Sequence, residues 1–164
     1  MAKYTAAVLT ASDKGAAGER EDVSGRLLQE LLQREDFAVL DYTVIADERE
    51  LLSAKLRQLC DELKVNLVLT TGGTGFSPRD ITPEATLGVV ERLTPGIAEA
   101  MRSASMSITP KAMLSRAAAG IRGRTLIINM PGSPKAVKES FEAIIPALGH
   151  GLDIMLSTAS ECAR

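Results

Sequence analysis

The chain has 164 residues, 45% of them hydrophobic and 24% charged, with a net charge of −2. That is enough for one well-buried core and short for two domains, and the charge balance lacks the basic excess expected of a nucleic-acid or acidic-membrane binder. With no tryptophan, three phenylalanines and two tyrosines, a single-strand binder built on stacked aromatics is disfavoured as well.

The two cysteines, Cys60 and Cys162, have no metal-ligand spacing and suggest no disulfide framework. A reduced, cytoplasmic setting is the simplest reading. Met1 to Thr5 leads directly into a strand pattern, without a signal-peptide core, and no apolar run has transmembrane length. The expectation is a soluble, single-domain protein spanning residues 1–164.

Tyr4 to Thr10 is a short apolar run suited to a buried first strand. A small polar loop containing Ser12 and Asp13 follows, to about Asp22. Val23, Leu27, Leu28, Leu31 and Leu32 recur at helical spacing, so a helix is predicted over Asp22 to Arg34. Phe37 to Ile45 reads as a second strand. Asp47 and Glu50 then have the spacing of a capping box, with Asp in place of Ser or Thr. The helix they would open carries Leu51, Leu52, Leu56, Leu59, Cys60 and Leu63 on one face.

Val65 to Leu69 is an uncharged, partly β-branched run that reads as a buried third strand. Gly72-Gly73-Thr74-Gly75 breaks it, and Phe76-Ser77-Pro78-Arg79-Asp80 continues as a charged loop. Thr82-Pro83 looks like an N-cap followed by proline at the first helical position, opening a helix to about Arg92. Thr94-Pro95-Gly96 punctuates before another helix from Ile97 to Met106. Pro110 to Arg116 is irregular. Ala117 to Ile121 and Thr125 to Met130 read as strands joined around Arg122-Gly123 as a hairpin. Ser133 caps, and Pro134 begins, a last helix whose buried stripe includes Val137, Phe141 and Ile144; Pro146 should kink it.

Strands alternating with amphipathic helices predict an α/β fold: a three-layer α/β/α domain with a largely parallel central sheet plus a hairpin. Ligands in such folds bind at the carboxyl ends of the strands. Ser12-Asp13, Ala46-Asp47, Gly72 to Asp80 and the Pro131-Gly132-Ser133 turn all fall there.

Glycines lack a Cβ, so the amides of Gly72, Gly73, Thr74 and Gly75 can converge on a phosphate or carboxylate. The alternative is a tight strand-to-helix turn that only needs positive φ. The loop has neither the Gly-Lys-Ser/Thr ending of a Walker A loop nor the third glycine of a dinucleotide fingerprint. Asp80 is open between a salt bridge or helix cap and a functional carboxylate, and Asp47 between a capping box and the same. Two carboxylates beside a phosphate cradle are what Mg²⁺ requires. Ser12-Asp13 can be a polar turn, Ser133 a cap or an anion site, and Lys111, Ser115 and Arg116 a phosphate contact or a solvated loop. His150, the only histidine, is assigned to packing or to a helix-end contact, and no Ser-His-Asp or Cys-His arrangement is supported.

Leu69 to Gly75, followed by Arg79-Asp80-Ile81-Thr82-Pro83-Glu84-Ala85-Thr86, closely resembles the signature of the MogA/MoaB family of molybdenum-cofactor biosynthesis. Ala11-Ser12-Asp13, Leu114-Ser115-Arg116-Ala117 and Ile128 to Lys135 agree with it in order, so the resemblance covers nearly the whole chain. It implies a MogA-like fold, usually a homotrimer, and molybdopterin adenylyltransfer: AMP passes from ATP to the terminal phosphate of molybdopterin, releasing pyrophosphate, with Mg²⁺. It also implies that the family's two essential aspartates are Asp47 and Asp80, the pair that the carboxylate reading assigns to holding Mg²⁺. Gly72 to Gly75 with Ser77 form the phosphate loop in that reading, and Pro131 to Ser133 a nucleotide-contacting turn. The resemblance also implies a molybdenum-inserting enzyme as a downstream partner. MoaB-type and CinA-type domains that bind without adenylylating, and a scaffold module, are the alternatives.

Overall fold

The computed structural model describes residues 1–158; Cys162 lies outside them. Six strands form one sheet: β1 (Tyr4–Ala11), β2 (Phe37–Ile45), β3 (Leu67–Thr71), β4 (Arg92–Leu93), β5 (Ala119–Arg122) and β6 (Thr125–Met130). Their order is β2-β1-β3-β6-β5-β4. The first four in that order run parallel, and β5 and β4 close one edge antiparallel. The expected mixed sheet and hairpin are both present, with Gly123 at φ 57° in the turn.

Alternation along the central strands produces the three layers. Ala6, Val8, Leu67, Leu69, Leu126 and Ile128 face one way, onto α2 (Val23–Arg34), α5 (Pro95–Met106) and α6 (Pro134–Met155). Ala7, Leu9, Val68 and Ile127 face the other way, onto α3 (Arg49–Arg57) and α4 (Thr82–Leu87). Both faces are covered, which is why these strands read as nearly continuous apolar runs. Buried Cys60 belongs to the second cluster. Burial pushes its thiol up to about 11, which leaves it unreactive at neutral pH.

Several boundaries differ from the sequence expectation. A four-residue helix, α1 (Asp13–Ala16), occupies the first loop, with the Ser12 hydroxyl accepting from Gly15 N–H at 2.9 Å. The third strand starts two residues later than expected and runs to Thr71. The helix after Pro83 stops at Leu87, and Arg92–Leu93 pairs with β5 instead of ending that helix. The helix after Asp47 ends in a π-helical turn at Gln58–Glu62.

Two predicted caps are absent. Glu48, not Asp47, is the N-cap of α3, and no side chain bonds there. Ile81, not Thr82, is the N-cap of α4. Ser133 caps α6 as expected, its hydroxyl accepting from Ala136 N–H at 3.3 Å. α6 continues through Pro146 as one helix, and His150 is exposed on it.

Candidate active site

β1 pairs with β2 on one side and β3 on the other, so the chain switches direction between β1 and β3. Loops diverge there at the carboxyl ends and leave a crevice. It is a cleft of about 660 Å³, lined by Ser12 after β1, Asp47 after β2, Gly72, Gly73 and Asp80 after β3, and Gly132 and Ser133 after β6. A second, smaller cleft of about 300 Å³ lies beyond the glycine turn, where Thr74, Gly75, Ser115 and Pro131 line it. Asp13, Ser77 and Arg116 line neither.

The turn itself needs glycine at two positions. Gly72 has φ 89° and Gly73 φ 69°, the left-handed region that side chains avoid. A Cβ on Gly72 would overlap the carbonyl oxygen of Ala11, and one on Gly73 would overlap Thr82 Oγ1. The chain therefore passes very close to the end of β1 and to the start of α4. The carbonyls of Gly73 and Thr74 accept from Thr82 and Arg116 N–H at 3.1 and 2.9 Å. The N–H groups of Gly73, Thr74 and Gly75 enter no turn or loop hydrogen bond among the described residues, so they are free for an anion.

Asp47 and Asp13 exchange backbone bonds: Asp13 N–H donates to Asp47 Oδ2, and Asp47 N–H to Asp13 Oδ1, each at 3.0 Å. This cross-strand exchange replaces the expected capping box. Asp47 Oδ1 is buried and has no hydrogen-bond partner. Burial, together with the charges of Asp13 and Asp80, holds the Asp47 carboxyl above the usual range despite the backbone bonds. An unpartnered carboxylate oxygen beside a second carboxylate is an unfavourable arrangement for the free protein. A bound cation would relieve it.

Asp80 reaches the cleft from the far side of the loop, its Oδ2 accepting from Ser77 N–H at 3.0 Å. Arg79 does not pair with Asp80. Its guanidinium crosses to the ends of β1 and β2, donating twice to Asp13 at 2.9 and 3.0 Å and once to Glu48 at 2.9 Å. The Arg79 hydrogen bonds hold the Asp13 carboxyl below its ordinary value.

Arg116 is likewise committed within the chain. It donates to the carbonyls of Gly75 at 2.8 Å and Asp80 at 2.7 Å and pairs with Glu84, so it straps the loop to α4 instead of facing either cleft. Ser12 and Ser133 also use their hydroxyls as helix caps, although both line the cleft.

The cleft residues that escaped the sequence reading include Arg20, Glu21, Asp22, Ser24 and Thr71. Asp22 caps α2 through Gly25 N–H at 3.0 Å, and its other oxygen accepts from the Thr10 and Tyr42 hydroxyls at 2.6 Å. Ser24 donates to Gly132 O at 2.7 Å, and Thr71 donates to Pro131 O at 2.6 Å, tying the glycine loop to the last turn. The spacing marked Asp22 only as a helix start. No local signal reports contacts made to β1 and β2.

The donor set facing the cleft is oxygen only, and no group of three or more His, Cys, Asp or Glu side chains placed to hold a metal ion occurs among the described residues. Two carboxylates with room for phosphates suit a hard cation such as Mg²⁺, which takes few protein ligands and completes its shell with water and substrate oxygens. The residues present fit that group.

Fold and cleft together define an α/β domain with its candidate site at the carboxyl edge of a parallel sheet. The sequence pattern described as "probable molybdopterin binding domain" matches residues 7–150. The chain belongs to this molybdopterin-binding family. It is 47% identical over 151 residues to the molybdopterin adenylyltransferase of Helicobacter pylori strain J99, covering 91% of this chain and 86% of that protein. Against the molybdopterin adenylyltransferase of Escherichia coli K12 it is 40% identical, over 87% of this chain and 74% of that one. Among solved structures, the molybdopterin biosynthesis enzyme MoaB of Thermus thermophilus superposes with a TM-score of 0.89 at 45% identity, over 94% and 97% of the two chains. Among the described residues no helix is long and apolar enough to cross a membrane.

Proposed function

We propose that this chain is a Mg²⁺-dependent molybdopterin adenylyltransferase, moving AMP from ATP to the terminal phosphate of molybdopterin with release of pyrophosphate. The observation that carries the reading is that Asp47 and Asp80 line one cleft across the Gly72–Gly73 turn, with the unbonded N–H of Gly73 in its lining and those of Thr74 and Gly75 in the neighbouring cleft. The names of the relatives that cover most of this chain support the same substrates.

The attacking group is a phosphate monoester, mostly dianionic at neutral pH because its second pKa is about 6. No strong base is required to activate it, and the cleft lining contains no histidine. The difficulty is bringing two polyanions together in line, which is a matter of positioning and charge. Asp47 and Asp80 would hold the cation; when bound, it neutralises phosphate charge and orients the oxygens. The N–H groups of Gly73 to Gly75 bind phosphate oxygens in their fixed turn. Arg79 and Arg116 hold the loop against α4 and the ends of β1 and β2, so Asp80 keeps its place. Asp13 fixes Asp47 through the reciprocal backbone bonds.

The homotrimer, the cytoplasmic setting and a downstream molybdenum-inserting partner belong to the same proposal and rest on the resemblance. Sedimentation at three times the chain mass of 17.4 kDa would support the trimer.

The deciding experiment mixes protein, molybdopterin, ATP and Mg²⁺ and follows pyrophosphate and adenylylated molybdopterin. Asp47→Ala and Asp80→Ala should each lower turnover by about a hundredfold or more, the scale seen when one preorganised charge-stabilising group is lost, with unchanged far-UV circular dichroism. Wild-type turnover in both variants would refute the roles assigned to them. Tight molybdopterin binding with no pyrophosphate from the wild type would instead favour a binding-only domain.

A further inference from the structure

Among the described residues, Asp47 Oδ1, Thr82 Oγ1 and Thr94 Oγ1 are the buried side-chain nitrogen or oxygen atoms without a hydrogen-bond partner. The first two face the same spot. A Cβ built on Gly73 would overlap Thr82 Oγ1 and lie 3.2 Å from Asp47 Oδ1, so only the absence of a side chain at Gly73 lets them share that space. Thr82 is wholly buried. Its backbone is fixed, because its N–H donates to Gly73 O at 3.1 Å. Its hydroxyl is not needed as a cap, since α4 has no side-chain cap bond.

Buried polar atoms in native proteins are almost always paired. A hydroxyl is a donor, and a carboxylate oxygen is an acceptor, so a shift of the Asp47 carboxylate or the Thr82 side chain that brings Oγ1 and Oδ1 within bonding distance would satisfy both. Asp47 Oδ2 already has its partner in Asp13 N–H. Only the orientation of the Oδ1 edge is left open.

We propose that Thr82 is a positioning residue for Asp47. When Asp47 and Asp80 hold a divalent cation, the Thr82 hydroxyl donates to Asp47 Oδ1. The carboxylate plane is then fixed between Thr82 and the Asp13 N–H. This rests on the cation site of the proposed function. Carboxylates that ligate metals are themselves hydrogen-bonded, and losing such a partner lowers metal affinity by about 10- to 100-fold. A purely space-filling Thr82 would be replaced by valine without consequence for cation binding.

The test uses Mn²⁺ as the probe, without ATP or molybdopterin, with free Mn²⁺ followed by electron paramagnetic resonance. Thr82→Val should weaken Mn²⁺ binding by about 10-fold, while Thr82→Ser, which restores the hydroxyl, stays near wild type. Without Mn²⁺, Thr82→Val should melt at or above the wild-type temperature, because it removes an unpartnered buried hydroxyl. With Mn²⁺ it should gain less stabilisation than wild type or Thr82→Ser. If Thr82→Val does not fold, Thr82→Ala is read in the same way. Mn²⁺ affinity unchanged in the valine or alanine variant, with Asp47→Ala strongly weakened, overturns the Thr82 role and leaves the cation site standing. Unchanged affinity in Asp47→Ala overturns the cation site and this inference with it.

Discussion

Placing alanine at the three glycines of the loop separates the cost of the turn from the cost of the site. At Gly73, with φ 69°, an L side chain enters the left-handed region, at about 1–2 kcal/mol. The new methyl also overlaps Thr82 Oγ1, on a buried β-branched side chain at the start of α4. Overpacking of this kind costs about 1–3 kcal/mol. Gly73→Ala should therefore lose roughly 2–5 kcal/mol in all, a large part of the 5–15 kcal/mol that typically separates folded from unfolded. Gly72→Ala should lose at least as much, because its methyl meets the backbone carbonyl of Ala11, which cannot rotate away. Gly75 is different. It is not among the positive-φ glycines, and its methyl would lie 2.9 Å from Asp80 Oδ2, the mobile end of a side chain. Gly75→Ala should lose less than about 1 kcal/mol, within the range of ordinary single substitutions, yet displace the carboxylate and lower turnover. Urea denaturation followed by far-UV circular dichroism gives the three stabilities, and pyrophosphate release gives the activities. A Gly73→Ala variant as stable as wild type would refute the turn geometry. A Gly75→Ala variant with full activity would refute the placement of Asp80.

Three further outcomes follow from the same contacts. Asp47 binds its proton more tightly folded than unfolded, so stability falls as pH rises from the unfolded pKa, near 3.8, through the folded value; without added divalent cation, Asp47→Asn should melt higher than wild type at neutral pH, with the difference vanishing below the unfolded pKa. Arg79→Ala removes exposed ion pairs, which contribute little stability; its melting temperature should stay close to wild type while KM rises, because the loop loses its tie to Asp13 and Glu48. Asn129 is fully buried, donates to Thr70 and Thr86 at 3.0 and 2.8 Å and accepts from Ala118 N–H at 3.1 Å; Asn129→Leu leaves these groups unpaired at about 1–3 kcal/mol each, so a urea midpoint that barely moves would contradict the network.

The layered fold was legible because burial and periodicity coincide in the central strands: Val8 and Leu9 face opposite helix layers, yet both read as apolar. The glycine turn was legible for a different reason, since positive φ and close backbone approach admit few other residues. Where the reading went wrong, a local pattern competed with a distant partner. Thr82-Pro83 has a cap's composition, but Thr82 is held against Gly73 and α4 begins without a side-chain cap. Arg92 and Leu93 continue a helical stretch in sequence, but edge pairing with Gly120 and Ile121 claims them. Arg116 reads as a free cation beside a phosphate loop, and only the fold reveals Glu84 and two carbonyls around its guanidinium.

Asp47 brings these lessons together. Its spacing to Glu50 is that of a capping box, a stabilising use that would have left nothing over for chemistry. The structure gives that carboxylate no cap bond; it takes one backbone N–H from Asp13, buries its second oxygen without a partner and sets Asp80 close enough to disfavour its charge. A protein selected for stability alone would cap α3 with this side chain or replace it by an amide. Keeping an ionisable group where burial opposes its ionisation is physically reasonable if a cation or substrate relieves the charge during function. The same unpartnered oxygen thus supports three separate expectations: a higher melting point for Asp47→Asn, a large loss of turnover for Asp47→Ala, and a need for the Thr82 hydroxyl once the site is filled.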